Sequence, residues 1–308
     1  VSAPAPAPAP SPSAFLAPPV PADVDTAPGV PAGPATMSPA EFMAAAPART
    51  NGSSTWANRY ADELRAIVLE HANGSARNVQ RHLGPSEIGH LCDRQVAGKL
   101  AELPPTNNVT DPWPSIMGTA GHTWMEDCLS AVNGKIGRPR FLTEYRVTPT
   151  MGFEGHPGTG DGYDADHEAV IDHKFLGDTS MAKVRKSGPP RHYFVQFLLY
   201  TLGFLALGLP VRRIALLAWP RTGSSLDGLY VWDHEITDAD WEFLRDVVEP
   251  ELRYRKAWAA ALVTGQAQLN DVPANAADEC HFCPFYRPQT ARDGGYGCPG
   301  STAGPAAA

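Results

Sequence analysis

Five strand-like runs interrupted by one apolar helix constrain the fold of this chain more than any other feature. FLTEYRVTPT (141–150), a short run around Gly160 to Tyr163, and EAVIDHKFL (168–176) come first. A helical stretch over 192–207 follows, then RIALLAWP from Arg213 onward and GLYVWDHEI (228–236). Helical patterns flank them at 55–73, with Leu64, Ile67 and Val68 on one face, and at 116–132. A last helix runs from a capping-box signal at Thr237-Asp238-Ala239-Asp240 toward Val263. This order predicts a mixed α/β architecture, one mixed sheet flanked by helices. The stretch from Phe194 to Leu209, broken by Gln196, Gly203 and Gly208, reads as a buried helix and is too short and interrupted to cross a membrane.

Proline divides the chain. Twelve of the 31 prolines lie in the first 40 residues, where alternating Ala-Pro favours extended geometry over a packed core. Residues 1–50 are therefore expected to be a disordered Pro/Ala-rich tail, a plain linker or a handle for a proline-recognising partner. The folded body is expected over 51–300, with a second short tail over 301–308. A formal net charge of -8 argues against a protein that coats nucleic acid by bulk electrostatics. It leaves room for a nucleic-acid enzyme, because metal-binding carboxylates count as charge while their metal does not. No secretory signal is visible, so a cytoplasmic setting is expected, in a bacterial or phage-infected cell. The five cysteines then serve metals or pack as small hydrophobes rather than form disulfides.

The densest chemistry lies in two neighbouring strands. Gly158-Thr159-Gly160-Asp161 precedes Val170-Ile171-Asp172-His173-Lys174. Strand alternation points Asp172 and Lys174 to one face and His173 to the other. The apolar neighbours Ala169, Val170, Ile171, Phe175 and Leu176 imply a buried strand, where a charge pair needs a reason. With Asp161 on the preceding strand, two convergent carboxylates make an oxygen site suited to Mg²⁺ or Mn²⁺. Such an ion supplies Lewis acidity for phosphodiester hydrolysis, and Lys174 beside it can orient water or offset developing charge. The bland alternative is a simple Asp-Lys pair.

Two helical pairs add to this. His122 and Glu126 share a helix face four residues apart, offering a nitrogen ligand and a further oxygen, or merely a surface pair. Gln196 and Tyr200 share another on an otherwise apolar helix, where a buried amide needs partners at both ends. Taken in order, Gly118-x-x-x-His122, Gly160-Asp161, Ile171-Asp172-His173-Lys174 and Gln196-x-x-x-Tyr200 resemble the PD-(D/E)XK nuclease superfamily. The narrower resemblance is to its RecB-like branch, which includes CRISPR-associated exonucleases with an iron–sulfur cluster. It spans residues 84–300 and implies a restriction-endonuclease-like core. It also implies that His122, Asp161, Asp172 and the main-chain carbonyl of His173 hold the catalytic metal. Lys174 then assists the water, while Gln196 and Tyr200 position DNA or active-site groups.

The same resemblance implies a [4Fe–4S] cluster on Cys92, Cys280, Cys283 and Cys298, one cysteine upstream of the core and three downstream. Linking ends about 190 residues apart stabilises by up to about 5 kcal/mol. Structural zinc, with His281 as a substitute ligand, is the alternative. Cys128 reads as a buried packing residue. For DNA contact, the basic connection with Lys183, Arg185, Lys186, Arg191 and His192 is the best patch, with Arg212 and Arg213 extending it. Trp113, Trp124 and Trp219 offer stacking surfaces on unpaired bases, though core packing is the commoner use. The expected function is a metal-dependent DNA exonuclease of recombination, repair or phage DNA processing, acting on single strands or free ends. Recombination or replication proteins are expected partners through the Pro-rich tail. An endonuclease and a catalytically silent DNA-binding scaffold are the alternatives.

Overall fold

The computed structural model describes residues 56–73, 83–107, 111–275 and 280–300. The tails expected over 1–50 and 301–308 lie outside them. The chain divides into two units, Val1–Arg59 and Tyr60–Ala308. Helix α1 runs Trp56–Asn73, as its periodicity predicts, with Leu64, Ile67 and Val68 exposed.

The body is a mixed α/β fold around one five-stranded sheet in the order β1-β2-β3-β4-β5. The strands are β1 (Phe141–Val147), β2 (Gly158–Asp164), β3 (Ala169–Leu176), β4 (Arg213–Pro220) and β5 (Tyr230–Glu235). All neighbours are antiparallel except β3 and β4, which run parallel with Ala169 opposite Arg213 and Leu176 opposite Pro220. A parallel pair needs a long crossover. Here it holds two helices, α5 (Asp178–Ser187) and α6 (Arg191–Ala206); upstream lie α2 (Pro85–Ile88), α3 (Asp93–Leu100) and α4 (Trp113–Ile136).

Helix α6 is apolar all round because it is covered all round. Every residue from Val195 to Phe204 is buried. One side, with Phe197, Tyr200 and Phe204, packs on Val170, Ile214, Leu216 and Ala218 of the sheet. The other, with Val195, Leu198, Leu199 and Leu202, packs on Ile88, Val96, Leu244, Val248 and Leu252. The last three belong to a helical run that starts as expected: the Thr237 N–H donates to Asp240 Oδ2 at 2.7 Å. It proceeds as α7 (Asp238–Phe243), a π-type turn over Leu244–Val248, and α8 (Glu249–Val263).

Helix α4 covers the opposite face, against β1 and β3. None of its 24 residues is fully buried. It approaches β3 closely at Gly121, where a methyl group would stand 2.3 Å from the Phe175 ring. The expectation that Cys128 is a packing residue fails, because it lies on the solvent side of α4 and is exposed. Trp113 and Trp124 are likewise exposed rather than core residues. The expected basic connection is a helix instead: α5 buries Met181 and Val184 and turns Lys183, Arg185 and Lys186 outward. No helix among the described residues is long and apolar enough to cross a membrane.

Candidate active site and cysteine site

The site lies where two strands part. β2 and β3 pair through Gly162–Asp164 and Ala169–Ile171. Asp161 and Asp172 are the next residues out, where the ladder has ended. The His173 main-chain N–H, left without a strand partner from β2, donates to Asp161 Oδ2 at 2.8 Å. The parting of the strands thus turns one carboxylate into a ladder substitute and sets it opposite a second.

Asp172 is 1% exposed and is held from two sides. Gln196 Nε2 on α6 donates to its Oδ1 at 3.0 Å and lies 3.3 Å from Tyr200 Oη. Lys174 Nζ stands 2.5 Å from its Oδ2 and 5.0 Å from the centre of the Tyr193 ring. The five residues Asp161, Asp172, Lys174, Gln196 and Tyr200 are therefore brought together, with alternation on β3 and the four-residue spacing on α6 as the cause. On the other face, His122 from α4 places Nδ1 3.4 Å from Asp161 Oδ2 and 3.7 Å from Glu144 Oε1.

Glu144 is the residue that sequence reasoning missed. His122, Glu144 and Asp161 offer ligand atoms within 4.8 Å of one another. Glu144 has a φ of +45°, left-handed backbone in the middle of β1, and this strained conformation accompanies its turn toward the site. Glu126, the expected helical partner of His122, is not in this group, and Asp172 is engaged by Lys174 and Gln196 instead. The nitrogen and carboxylate donors suit a divalent cation.

Crowded carboxylates change their own chemistry. Burial, then the charge of Asp172, push Asp161 up to about 7. Burial pulls His122 down, but the Glu144 hydrogen bond and the Asp161 charge outweigh it and raise it. Lys174 is raised against its own burial by Asp172 and Asp161, so it stays a cation. His173 is pulled down to about 4, by burial first and then by His122, so it is neutral. Trp219 Nε1 donates to His173 Nδ1 at 3.1 Å, which leaves the ring proton on Nε2. The His173 ring stands edge-on to His122 with centroids 6.0 Å apart. Trp219 thus braces the wall behind the site.

The basic residues divide. Lys183 and Lys186 are exposed on α5. Arg185 is exposed too, but it donates to Gly228 O at 2.8 Å and lies over the Tyr230 ring. Arg191 is not available to a phosphate: its guanidinium donates to Glu251 Oε2 at 2.7 Å and Gly89 O at 3.1 Å. His192 stacks on His90. Arg212 and Arg213 pair with Glu168 and Asp233 at the Ala169 end of the sheet.

Cys92, Cys280, Cys283 and Cys298 line one small cavity with Arg94, Gln95, Ala274 and Tyr286. Burial pushes the Cys283 thiol up to about 11. His281, the substitute ligand expected for zinc, is exposed and outside the cavity lining.

No protein-family model and no curated protein matches the sequence. Among solved structures, the chain is similar to an alkaline exonuclease, LHK-Exo, from Laribacter hongkongensis. The identity is 14% over 60% of this chain and 93% of that one, with a TM-score of 0.41. The same protein in complex with dAMP gives 15% identity, the same coverage and the same TM-score. A phage-related exonuclease from Haemophilus somnus 129PT overlaps 49% of this chain and 74% of its own, at 14% identity and a TM-score of 0.31.

Proposed function

We propose that this chain is a divalent-metal-dependent deoxyribonuclease that degrades DNA from its ends, with a [4Fe–4S] cluster fastening the two ends of its body. The observation that carries this reading is the meeting of Asp161, Asp172 and Lys174 at the strand fork, with His122 and Glu144 across from them. A Mg²⁺ or Mn²⁺ ion held there supplies Lewis acidity to the scissile phosphate. Asp161, His122, Glu144 and Asp172 would hold the ion, and Lys174, which pairs with Asp172, would face water or the phosphate. Lys174 keeps its proton and offsets charge that develops in the transition state. Gln196 fixes Asp172, and Tyr200 lies within reach of the Gln196 amide. Lys183 and Lys186 meet the phosphates of the arriving strand.

The cluster reading rests on four cysteines around one cavity, one from before the sheet and three from after it. Recombination proteins or replication partners, engaged by the Pro-rich tail, complete the proposal.

The test uses end-labelled linear DNA and a covalently closed circle, anaerobically purified full chain, Mg²⁺ or Mn²⁺, and Lys174→Ala as control. Metal-dependent loss of the linear substrate alone, absent in the variant, is expected. Cutting of the circle makes the chain an endonuclease. No cleavage by cluster-loaded protein leaves a DNA-binding scaffold.

A further inference from the structure

Arg94 has a place in the structure that neither catalysis nor packing uses. It is the second residue of α3, two positions after Cys92, and all three nitrogens of its guanidinium donate. Nε donates to Val272 O at 2.8 Å and Nη2 to Asn270 O at 3.0 Å. These two bonds hold the planar group in one orientation, with Nη1 donating to Cys298 Sγ at 2.9 Å. The Gly300 N–H approaches the same sulfur at 3.4 Å. Cys298 is 5% exposed, so these protein donors stand in for water around it. The Cys298 sulfur thus meets a fixed positive charge.

We infer that Arg94 sets the reduction potential of the iron–sulfur group by donating to the Cys298 sulfur. This rests on the cluster reading above. Four thiolates give a [4Fe–4S] group a net negative charge that grows on one-electron reduction. Hydrogen bonds to its sulfurs and nearby cations stabilise the reduced form most, and so raise the potential. A lysine keeps the charge but cannot hold the three-way fork, since its ammonium is a single flexible point. Glutamine loses the charge as well. The potential is therefore ordered wild type, then Arg94→Lys, then Arg94→Gln, falling along the series.

The experiment measures iron and acid-labile sulfide in the full chain purified without air. Midpoint potentials follow from dithionite titration read by visible absorbance and electron paramagnetic resonance, for the wild type and both variants. The expected result is wild-type iron and sulfide in at least Arg94→Lys, with potentials shifted to more negative values in the order given. Equal potentials in cluster-loaded variants overturn the inference and leave the cluster reading standing. Loss of iron from both variants also overturns it, making Arg94 a strut between α3 and residues 270–272. A wild-type chain without iron and sulfide fails at the earlier step, and both readings fall together.

Discussion

Lys174 and Asp172 show how a buried pair constrains what a substitution can reveal. Asp172 has almost no contact with water, and its side-chain partners are Lys174 and Gln196. Lys174→Ala should lower the cleavage rate by about 10²–10³-fold, the usual cost of losing one group that offsets transition-state charge. It also leaves a buried carboxylate without its cation, which costs about 3–5 kcal/mol where the pair is fully enclosed. Asp172→Asn with Lys174→Met removes both charges and should recover most of that stability in urea unfolding while remaining inactive. A double variant no more stable than the single one would contradict the burial argument. Asp161 makes a prediction about pH. Its folded value is about 7 against an ordinary 3.8, so between these the native chain keeps a proton that the unfolded chain has lost. Stability of the metal-free chain is therefore full below pH 4 as far as this group is concerned, and declines as pH rises through 7. Mn²⁺ should reverse the decline by displacing the proton, and Asp161→Asn should flatten it; urea midpoints from pH 5 to 8 measure both. These residues were legible because strand alternation and helical spacing are short-range rules. Glu144 was not. It faces Asp161 only because β1 and β2 pair in one register, and the ten residues between the strands are too many for turn type to fix that register.

At the scale of elements, the position of α4 decides whether His122 reaches the fork. The sequence shows this helix and its His122 face, but not which of its glycines meets the sheet. Gly121 does, a contact that only the three-dimensional packing reveals. Alanine at a helix interior gains up to about 1 kcal/mol over glycine. At Gly121 the new methyl would have to displace the Phe175 ring, and overpacking of this kind costs about 1–3 kcal/mol. Gly121→Ala should therefore destabilise and lift α4 away from β3, weakening Mn²⁺ binding by moving His122. Gly118→Ala, with open space around it, should gain a few tenths of a kcal/mol and bind Mn²⁺ as the wild type does. Calorimetric titration of Mn²⁺ alongside thermal melts separates them, and equal effects of the two alanines would refute the close-packing account. Helix α5 escaped the sequence because Gly177 and the Gly188-Pro189-Pro190 run mark turns at both ends and leave only ten residues between. Its two buried apolar residues are too few to make a periodic signal, and docking on the sheet stabilises it instead.

Across the whole molecule, two cores of different kinds are joined by α3. The sheet core and the layer beyond α6 hold large aliphatic and aromatic side chains packed on several elements. The cysteine region holds little more than Leu269, Cys283, Phe285 and Cys298. It is stitched to residues 92–107 by polar bonds. Asn107 donates to His281 O and Cys283 O, Tyr296 to Pro104 O, and Asn275 to Asp93. Each such bond contributes about 1 kcal/mol net, more where a charge is involved, and exchanges readily with water. A group bound to all four sulfurs would add up to about 5 kcal/mol by closing a long loop. That difference predicts the order of failure. When the proposed cluster is stripped by chelator under air, residues 280–300 and the turn around Cys92 should lose amide-exchange protection first. β3, β4 and α6 should stay protected, because their packing does not pass through the cysteines. Hydrogen exchange followed by mass spectrometry, before and after stripping, reads this directly. Simultaneous loss of protection in the sheet would mean that the cysteine region is a condition for the fold, and unchanged protection at 280–300 would mean that nothing was bound there. The cysteine pattern in the sequence gives the two ends of the proposed fastening. What it could not give is the sparse core beneath, because only the packed structure shows that so few apolar side chains lie there.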